Sequence, residues 1–427
     1  MAGVDSYTGP AVNVGDTVGI LFWPDQRLMN VEVNGVNVGY QAWLPETGPY
    51  APVIQFWSAG NHDLDFNFGQ RSWTYAPPDG YLPLCSQNLP DPLVNPKKNF
   101  SANTWSGNTT ATPIKTGFQP GLVWVKRRDT AYDHYLVDTV RGRTRALSSN
   151  DTGIEEAKAS GIVSWDGNGF ATGPDVGFSG TSMVGWTLKA GDTVTNNDGS
   201  IPSQVSANKD MGFSVVKYSG TGSPTTVGHG LGQPLSLVIT KKIGDDGGNN
   251  QNWIVGSSYL GSGETLEFNG SGGVGSIGAY SDPISTSTVI NYLDNNNVNK
   301  SGFDYIAYCF TNTEMIQVGT YAGNNSSNNF VSLPFKPAFL MVKSIDSTNG
   351  LPYFDWAVWD NGRSPYNQIM SMIKPNSSDP ETSSRGVPME FYSNGFSPKK
   401  DNSEMNGWQN YLYLAIAEQN FKYARGR

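Results

Sequence analysis

Few residues of this chain have the types and spacing that acid–base or metal chemistry requires. Enzymes that cleave polysaccharides hold two carboxylates about 5 to 10 Å apart across the sugar. The nearest acidic pairs, Glu155 with Glu156 and Glu264 with Glu267, would point to opposite faces of a strand. The histidines are isolated from one another and from cysteine: His62, His134 and His229. We therefore expect no catalytic residue, no bound metal and no cofactor, and a protein that is not an enzyme.

Four basic residues have a structural explanation instead. His229 lies in the tight glycine turn VGHGLG, where its ring can bond to the backbone. Lys126, Lys241 and Lys343 each end an apolar run that follows a proline. Because the lysines recur at the same place in a repeated pattern, we expect an architectural role, with the stem on apolar surface and the charge in water.

Aromatic residues in polar loops are the remaining candidates for function. Trp and Tyr rings can stack on sugar rings, while amide, carboxylate and backbone groups beside them bond the hydroxyls. The aromatic residues that we expect in loops, and therefore take as glycan-binding candidates, are Trp105, Tyr132, Tyr135, Trp253, Tyr353, Trp356 and Trp359. The alternative for each of them is a place in the hydrophobic core.

The composition favours an all-β protein with many short strands. The 427 residues include 50 glycines and 26 prolines, which interrupt the chain too often for long helices, and 12 Trp, 20 Tyr and 19 Phe. The net charge of −9 and the lack of a basic run longer than Lys126–Arg128 argue against a nucleic-acid partner. Two cysteines, Cys85 and Cys309, exclude a disulfide framework. With neither a basic leader nor a long apolar run, we expect synthesis in the cytoplasm and no membrane insertion.

Three glycine-led segments indicate an internal repeat. They are SGTSMVGWTL from residue 179, SGFDYIAYCF from 301 and NGWQNYLYLA from 406, and an aromatic follows each glycine at the same distance: Trp186, Tyr308 and Tyr413. In the second segment Ile306, Tyr308 and Phe310 alternate with Tyr305, Ala307 and Cys309. Both faces of this strand are therefore apolar, as in a strand inside a sandwich, and Cys309 is predicted to be a structural thiol.

Further shared elements give the repeat its length. A proline opens each of the strands QPGLVWVK, QPLSLVITK and KPAFLMVK, at Pro120, Pro234 and Pro337, and the middle copy has one extra residue. The outer copies also share a hairpin signal, Asn168-Gly169 and Asn394-Gly395. We predict three autonomous antiparallel β-sandwich domains, at 93–195, 196–314 and 315–427.

The first 92 residues differ from the repeats. The segments VGDTVGILFWPDQRLMNVEVNGVNVG and YAPVIQFWSAGNHDLDFNFGQRSW, with the Asn34-Gly35 hairpin signal and the closing Asn67-Phe68-Gly69, resemble the C-terminal half of a SPRY domain over residues 14 to 80. Residues 1–92 are then a partial SPRY-like segment with the bridge YLPLCSQNLPDP. The N-terminal half of a SPRY domain is absent, and a half-sandwich would leave an apolar face uncovered.

The order of these parts resembles a type of virion protein found in tailed phages, especially marine and cyanobacterial ones. The resemblance rests on the SPRY-like segment, the bridge, the repeats with GFQPGLVWVK and VGHGLGQPLSLVITKK, and the final AIAEQNFKYARGR, and covers nearly the whole chain. It implies a tail fibre or other surface appendage of the virion, with concanavalin-like jelly-roll units.

These observations together predict a non-enzymatic virion protein that helps the particle adsorb to its host, by binding cell-surface glycan or another receptor. The alternatives are a decoration or connector protein that binds other virion proteins, or a polysaccharide-degrading enzyme on the same fold. We expect a homo-oligomer. The apolar face of the N-terminal segment is expected to be covered by a neighbouring subunit, by another virion protein or by residues missing from this chain, which makes that end the attachment side.

Overall fold

The computed structural model describes residues 11–44, 63–85, 88, 91–176, 180–245, 247, 251–346, 355–382, 388–399 and 405–420. The chain forms two compact units, residues 1–91 and 92–427. Nearly all regular structure is β and every ladder between named strands is antiparallel, so the predicted all-β class is confirmed.

The N-terminal unit contains one three-stranded sheet, formed by β1 (Val18–Trp23), β2 (Leu28–Val33) and β3 (Val36–Trp43) in that order, with a 3-10 turn at Pro24–Gln26. The predicted hairpin is present, because Asn34 and Gly35 connect β2 to β3 with φ of 54° and 76°. Ile20 lies opposite Val31 and remains 50% exposed. Ile54 and Phe56 of the SPRY-like segment lie outside the described residues.

The first sandwich of the C-terminal unit has two main sheets. A 3-10 turn at Pro96–Lys98 leads into it. Its strands are β4 (Phe100–Ser106), β5 (Thr112–Lys115), β6 (Leu122–Arg127), β7 (Tyr135–Asp138), β8 (Arg145–Ala146), β9 (Glu156–Ala157), β10 (Ile162–Asp166), β11 (Gly169–Thr172) and β12 (Ser182–Leu188). The order is β4-β12-β6-β7 in one sheet and β10-β11-β5 in the other, with β8 and β9 as a separate pair.

The second sandwich repeats this plan with added edge strands. Its strands are β13 (Thr193–Asn196), β14 (Ser203–Asn208), β15 (Phe213–Ser219), β16 (Thr225–Gly228), β17 (Leu237–Lys242), β18 (Ile254–Ser257), β19 (Glu264–Glu267), β20 (Gly275–Ser276), β21 (Tyr280–Ser285), β22 (Val289–Tyr292) and β23 (Asp304–Phe310), with the helical turn α1 (Asn296–Asn299) before β23. The order is β13-β14-β15-β23-β17-β18-β19-β20 in one sheet and β16-β22-β21 in the other.

The third sandwich returns to the simpler plan. Its strands are β24 (Ile316–Ala322), β25 (Val331–Ser332), β26 (Phe335–Ser344), β27 (Ala357–Asp360), β28 (Met389–Tyr392), β29 (Gly395–Pro398) and β30 (Asn410–Asn420). The order is β24-β30-β26-β27 in one sheet and β25-β29-β28 in the other. The four strands β4-β12-β6-β7, β15-β23-β17-β18 and β24-β30-β26-β27 therefore follow one pattern, and we call each set an inner sheet.

The glycine-led segments form the same strand in each inner sheet, β12, β23 and β30, but the predicted register is wrong in the third. Trp186 lies opposite Trp124 and Tyr308 opposite Ile239. The residue opposite Met341, which holds the corresponding place on β26, is Leu414 and not Tyr413. One more residue separates Gly407 from this position. A shift by one residue turns a strand side chain to the opposite face, so Tyr413 packs inside its own sandwich.

The three inner sheets share one hydrophobic core. One face of β23 contributes Ile306, Tyr308 and Phe310 to this common core, and the other face packs against the partner sheet of the same sandwich through residues such as Cys309. A cavity of about 30 Å³ within the common core is lined by the corresponding residues Trp124, Ile239 and Met341, among others. The expectation of three autonomous domains is therefore wrong, because the inner sheets cover one another and residues 92–427 form one compact unit.

Candidate functional site

The structure separates the predicted glycan-binding aromatics into two groups. Trp253 and Trp356 are fully buried in the common core, and Trp359 is fully buried inside the third sandwich. A ring without exposed surface cannot stack on a sugar, so the prediction is wrong for these three. Trp253 and Trp356 immediately precede β18 and β27, and Trp359 lies in β27. Tyr353 lies outside the described residues. The other three lie in the first sandwich. Trp105 and Tyr132 are partly buried and pack against its core, whereas Tyr135 is a buried member of that core on β7, so the prediction of an open loop residue is wrong for Tyr135 too.

Trp253 and Trp356 join neighbouring sandwiches. The indole of Trp253, in the second sandwich, donates to the carbonyl of Ser148 in the first at 2.9 Å. Trp356, in the third, donates to the carbonyl of Glu267 in the second, also at 2.9 Å. In the first sandwich His134 takes the corresponding place, with Nε2 3.0 Å from the carbonyl oxygen of Lys374. These contacts run from the first to the third, from the second to the first and from the third to the second sandwich. The three sandwiches are therefore arranged in a closed ring.

The strand-ending lysines form a second set of contacts around the same ring. Lys126, Lys241 and Lys343 donate to the carbonyls of Ser378, Thr152 and Ser271 in the neighbouring sandwich, at 3.2, 2.8 and 2.9 Å. Their role is architectural, but the prediction that their charge lies in water is wrong, since each lysine is at most 1% exposed. Burial lowers the pKa of each ammonium to about 8.

Two buried ion pairs occupy a corresponding position at the boundaries. Asp360 binds Arg363 at 2.5 Å and accepts from the indole of Trp186 at 2.9 Å. Asp138 binds Arg141 at 2.6 Å and accepts from the hydroxyl of Tyr308 at 2.9 Å. Asp138 and Asp360 are the last residues of β7 and β27. With their arginines they appear in the sequence as DTVR and DNGR, a signal that the sequence analysis missed.

The first sandwich has an aromatic cluster that we define as Trp105, Tyr132 and Trp165 with Arg127. The three rings are partly buried and pack against the core of this sandwich. Trp105 contacts Phe170 with ring centroids 6.1 Å apart, and Trp165 lies directly opposite Phe170 in the β10–β11 register. Arg127 and Trp105 flank Met183, since both pair with it across β12. All of these side chains therefore lie between the two sheets of one sandwich.

The indoles of Trp105 and Trp165 carry unused donors. Each Nε1 is shielded from solvent and has no hydrogen-bond acceptor in the described part of the chain. A buried donor without a partner costs about 1–3 kcal/mol. The indole of Trp105 is pressed over Gly185, where a Cβ would lie 3.0 Å from two of its ring carbons. Packing on Gly185 thus fixes the indole of Trp105 in a position where its N–H has no acceptor.

The other two sandwiches satisfy the corresponding aromatics. Tyr218 in the second is stacked on Tyr305, with ring centroids 5.3 Å apart, and its hydroxyl donates to the carbonyl of Val298. Tyr321 in the third is stacked on a tyrosine of β30 in the same way and donates to the carbonyl of Met405 at 2.7 Å. Both are almost fully buried. Trp105 lies on the corresponding strand but has Met183 beside it in place of a stacked ring.

Arg127 gives the aromatic cluster a cation. Its guanidinium carbon lies 3.6 Å from the centre of the Tyr132 ring, close enough for a cation–π contact. Burial lowers the pKa of this guanidinium from its usual value. The hydroxyls of Tyr132 and Tyr135 are 3.3 Å apart, and burial raises the pKa of Tyr135. The cluster therefore offers ring faces and N–H donors.

His229, His134 and Glu155, three groups with acid–base chemistry, have structural partners. The ring of His229 bonds the backbone as expected, with Nε2 3.2 Å from the carbonyl oxygen of Thr286. Burial lowers its pKa to about 4 and that of His134 to about 3. Glu155 is 3.4 Å from the buried Arg141. His62 lies outside the described residues, and within them no three His, Cys, Asp or Glu side chains are grouped as metal ligands.

No helix in the described ranges has the length and hydropathy needed to cross a membrane.

Comparison with known proteins gives one result. Neither a curated protein nor a solved structure matches the chain. A family model matches residues 95–420, about three quarters of the chain, and its bounds follow the C-terminal unit and not a single sandwich. The chain therefore belongs to the family described as domain of unknown function DUF7483.

Proposed function

We propose that this protein is a non-enzymatic virion protein of a tailed phage, a tail fibre or surface appendage that contributes to host adsorption by binding cell-surface glycan. The observation that carries the binding role is the aromatic cluster of the first sandwich, where two indole donors have no acceptor in the described chain. The virion assignment rests on the resemblance of the whole chain to phage virion proteins.

A glycan suits the aromatic cluster better than an apolar ligand does. Sugar rings present C–H faces that stack on indole and phenol rings, and hydroxyls that accept from N–H groups. An apolar ligand would cover the rings but would leave the donors of Trp105 and Trp165 unsatisfied. The rings of Trp105, Trp165 and Tyr132 are partly exposed, so a ligand can contact them, whereas the two indole nitrogens are shielded from solvent and would meet a ligand only after the side chains shift.

The rigid frame supports a role in adhesion. Three sandwiches are held in a ring by lysine, tryptophan and histidine contacts to backbone carbonyls of their neighbours. A site on one sandwich is thus fixed relative to the rest of residues 92–427. A rigid site reduces the entropy that is lost on binding a ligand.

A connector role is the second candidate, because the N-terminal sheet has an exposed apolar face. Val18 and Ile20 share a face of β1 and are 46% and 50% exposed. A face of this kind suits contact with another virion protein. This contact and glycan binding are compatible, since they use different units of the chain.

The proposed function is tested on virus particles and on host cells. Antibodies against residues 92–427 should label a tail or surface appendage of purified virions in immunoelectron microscopy. Purified protein should compete with virions for adsorption, and prior periodate oxidation of the cell-surface glycans should abolish its binding. Labelling of the capsid interior, or binding that survives oxidation and protease treatment equally, would contradict the proposal.

A further inference from the structure

We propose that the apolar face of the N-terminal sheet docks on a different virion protein, at a surface patch that is apolar at its centre and basic at its rim; this inference rests on the proposed virion function. The surface belongs to the N-terminal unit alone, so the aromatic cluster of the first sandwich plays no part in it. Two independent properties of this unit carry the proposal: the continuity of its apolar face and its excess of negative charge.

One face of the sheet β1-β2-β3 carries only apolar side chains on its two paired strands β1 and β2. Side chains that alternate along a strand and pair across the ladder share a face. The residues that the register places on this face of β1 and β2 are Val18, Ile20, Phe22, Met29, Val31 and Val33. None of these six side chains is buried. On β3, Val36 extends the face opposite Val33 and is 67% exposed. A continuous exposed apolar patch of this kind marks an interaction site.

The opposite face of the same sheet is the one that the chain covers. It carries the polar residues Asn30 and Glu32 together with Leu21, which is only 8% exposed. Trp23 lies on this face too, and its ring centroid is 5.5 Å from that of Tyr81. An antiparallel sheet normally buries its apolar face and leaves the polar one in water. In this unit the apolar face is left exposed, which is the arrangement expected when a separate molecule covers it.

Negative charge is concentrated in the N-terminal unit. Residues 1–91 contain nine acidic and two basic residues, a net charge of −7. Residues 92–427 contain 28 acidic and 26 basic residues, a net charge of only −2. One of the two basic residues of the N-terminal unit, Arg71, is already paired with Asp65. Asp25, which is exposed, lies in the turn directly after β1. The unit therefore presents an apolar face in acidic surroundings.

This charge decides among the occupants that an apolar face could have. Two copies of the unit, face to face, would bring two net charges of −7 together, and like charges across an interface oppose association. Nucleic acids and anionic lipid surfaces are repelled for the same reason. A protein patch with an apolar centre and lysine or arginine at its rim complements both the face and its charge.

Salt affects the two protein occupants in opposite directions. Charges are screened beyond about 8 Å at 0.15 M salt, so only groups at the rim of the contact take part. Attraction between the acidic unit and a basic rim should weaken as salt is added. Self-association of the acidic unit should strengthen, because salt screens the repulsion between the copies.

The occupant can be identified in the assembled particle with a photo-crosslinking residue in the full chain. Val36→p-benzoylphenylalanine places the crosslinker on the apolar face. Gln41→p-benzoylphenylalanine is the control, because Gln41 is exposed and pairs with Asn30 on the opposite face. Virions are irradiated and the linked peptides are identified by mass spectrometry. The crosslinker at position 36 should link to a different virion protein in a segment rich in lysine or arginine, and the one at position 41 should not.

A second measurement uses particles assembled without this protein, to which the purified full chain is added. Val36→Ser should weaken binding about tenfold, the effect of burying most of one valine. Val194→Ser is the matched control, since Val194 is 57% exposed on β13 of the second sandwich, and it should bind as the wild type does. Thermal unfolding verifies that each variant is folded.

Charge is tested with two triple variants that change the net charge of the chain by the same three units. The first replaces exposed aspartates of the N-terminal unit by asparagine, at Asp25, Asp63 and Asp79. The second replaces exposed aspartates of the second sandwich, at Asp192, Asp210 and Asp294. The first should weaken binding about tenfold, roughly twofold for each exposed charge, and should reduce the dependence on salt. The second should leave both unchanged.

The outcomes separate this inference from the proposed function. A crosslink from position 36 to a second copy, to residues 93–427 of the same chain or to an acidic segment overturns the basic partner and leaves the virion role intact. Binding that does not weaken with salt, or that weakens equally in both triple variants, also overturns it. No crosslink from position 36 shows that the face is not covered in the particle. If purified virions do not contain the protein, both the inference and the proposed function are wrong.

Discussion

At the scale of single residues, the buried lysines show how this protein uses charge. Lys343 is fully buried, yet its ammonium donates to the carbonyls of Ser271 and Ser344, both at 2.9 Å. Water is replaced by backbone oxygens from the neighbouring sandwich and from its own strand. The pKa of about 8 indicates that these two hydrogen bonds do not fully compensate for the lost hydration, because burial disfavours the charged form.

The stability that Lys343 contributes should increase with pH. Its pKa is about 8 in the folded chain and about 10.5 when unfolded. Between these values the unfolded state binds the proton and the folded state does not, so the free energy of unfolding rises with pH, by about 1 kcal/mol per pH unit. The neutral amine retains two N–H donors for the two carbonyls.

Urea unfolding of the wild type and of Lys343→Met from pH 7 to 10 measures this. Above pH 8, the free energy of unfolding of the wild type should rise relative to that of Lys343→Met. Buried tyrosines and Cys309, whose pKa is raised by burial, act in the opposite direction but are common to both proteins and cancel. Parallel curves would mean that Lys343 stays charged throughout.

The buried ion pair at Asp360 gives a second prediction. Asp360→Ala leaves the guanidinium of Arg363 buried without its carboxylate and removes the acceptor of Trp186, so we expect a loss of about 3–5 kcal/mol in the free energy of unfolding. Ser257 holds the corresponding strand position in the second sandwich and donates to the carbonyl of Ser236. Ser257→Ala should cost about 1 kcal/mol. Similar losses in the two variants, measured by denaturant unfolding, would show that the ion pair contributes little.

At the scale of elements, the central strand of each inner sheet was predictable because both of its faces are apolar. Tyr305, Ala307 and Cys309 of β23 pack within the sandwich, and Ile306, Tyr308 and Phe310 pack in the common core, as their alternation indicates. The register of β30 was not predictable. Distance from a glycine does not reveal an extra residue in the turn, and only pairing with β26 fixes which side chains face the common core.

The close approach of β24 and β30 can be tested through Gly319. The ring of Tyr413 lies over this glycine, and a Cβ there would be 2.7 Å from its hydroxyl oxygen and 2.9 Å from Cζ. Gly319→Ala should therefore cost about 1–3 kcal/mol, because the ring must move in a packed core. Gly275→Ala is the control, since a Cβ at Gly275 meets nothing within 4 Å. Chemical denaturation measures the free energy of unfolding of both variants, and equal values for Gly319→Ala and Gly275→Ala would contradict the assigned packing.

At the scale of the whole molecule, we expect residues 92–427 to unfold as one cooperative unit, because they share the common core. A single sandwich would expose Leu122, Trp124, Trp186 and other side chains of its inner sheet. Each large apolar side chain left in water forfeits about 1.5–3 kcal/mol, so a few of them exceed the 5–15 kcal/mol stability of a typical domain.

Calorimetry of two fragments tests this cooperativity. Residues 92–427 should unfold in one transition, whereas residues 93–195 alone should show no cooperative transition and should bind a hydrophobic dye. A folded and stable fragment of residues 93–195 would restore the idea of autonomous domains.

The N-terminal unit gives the prediction on attachment. Its exposed apolar face, which includes Ile20 and Val18, is expected to be covered in the assembled particle. Deletion of residues 1–92 should therefore reduce incorporation of the protein into virions and leave glycan binding by the remaining residues 93–427 unchanged. Immunoblots of purified particles measure incorporation, and full incorporation of the truncated protein would refute an attachment role.

The sequence by itself determined the all-β class, the repeated strands and the hairpin turns, because alternation, prolines and Asn-Gly pairs act locally. It also predicted that the ring of His229 bonds the backbone of its glycine turn, where Nδ1 accepts from the backbone N–H of Leu231 at 3.3 Å. Tertiary structure alone decided that three sandwiches close into a ring around one core, that Lys126, Lys241 and Lys343 are buried, and that Trp253 and Trp356 bond to neighbouring sandwiches. It also brought Trp105, Tyr132 and Trp165 together with Arg127. Each of these facts depends on contacts between residues distant in the chain, whose partners no local pattern records.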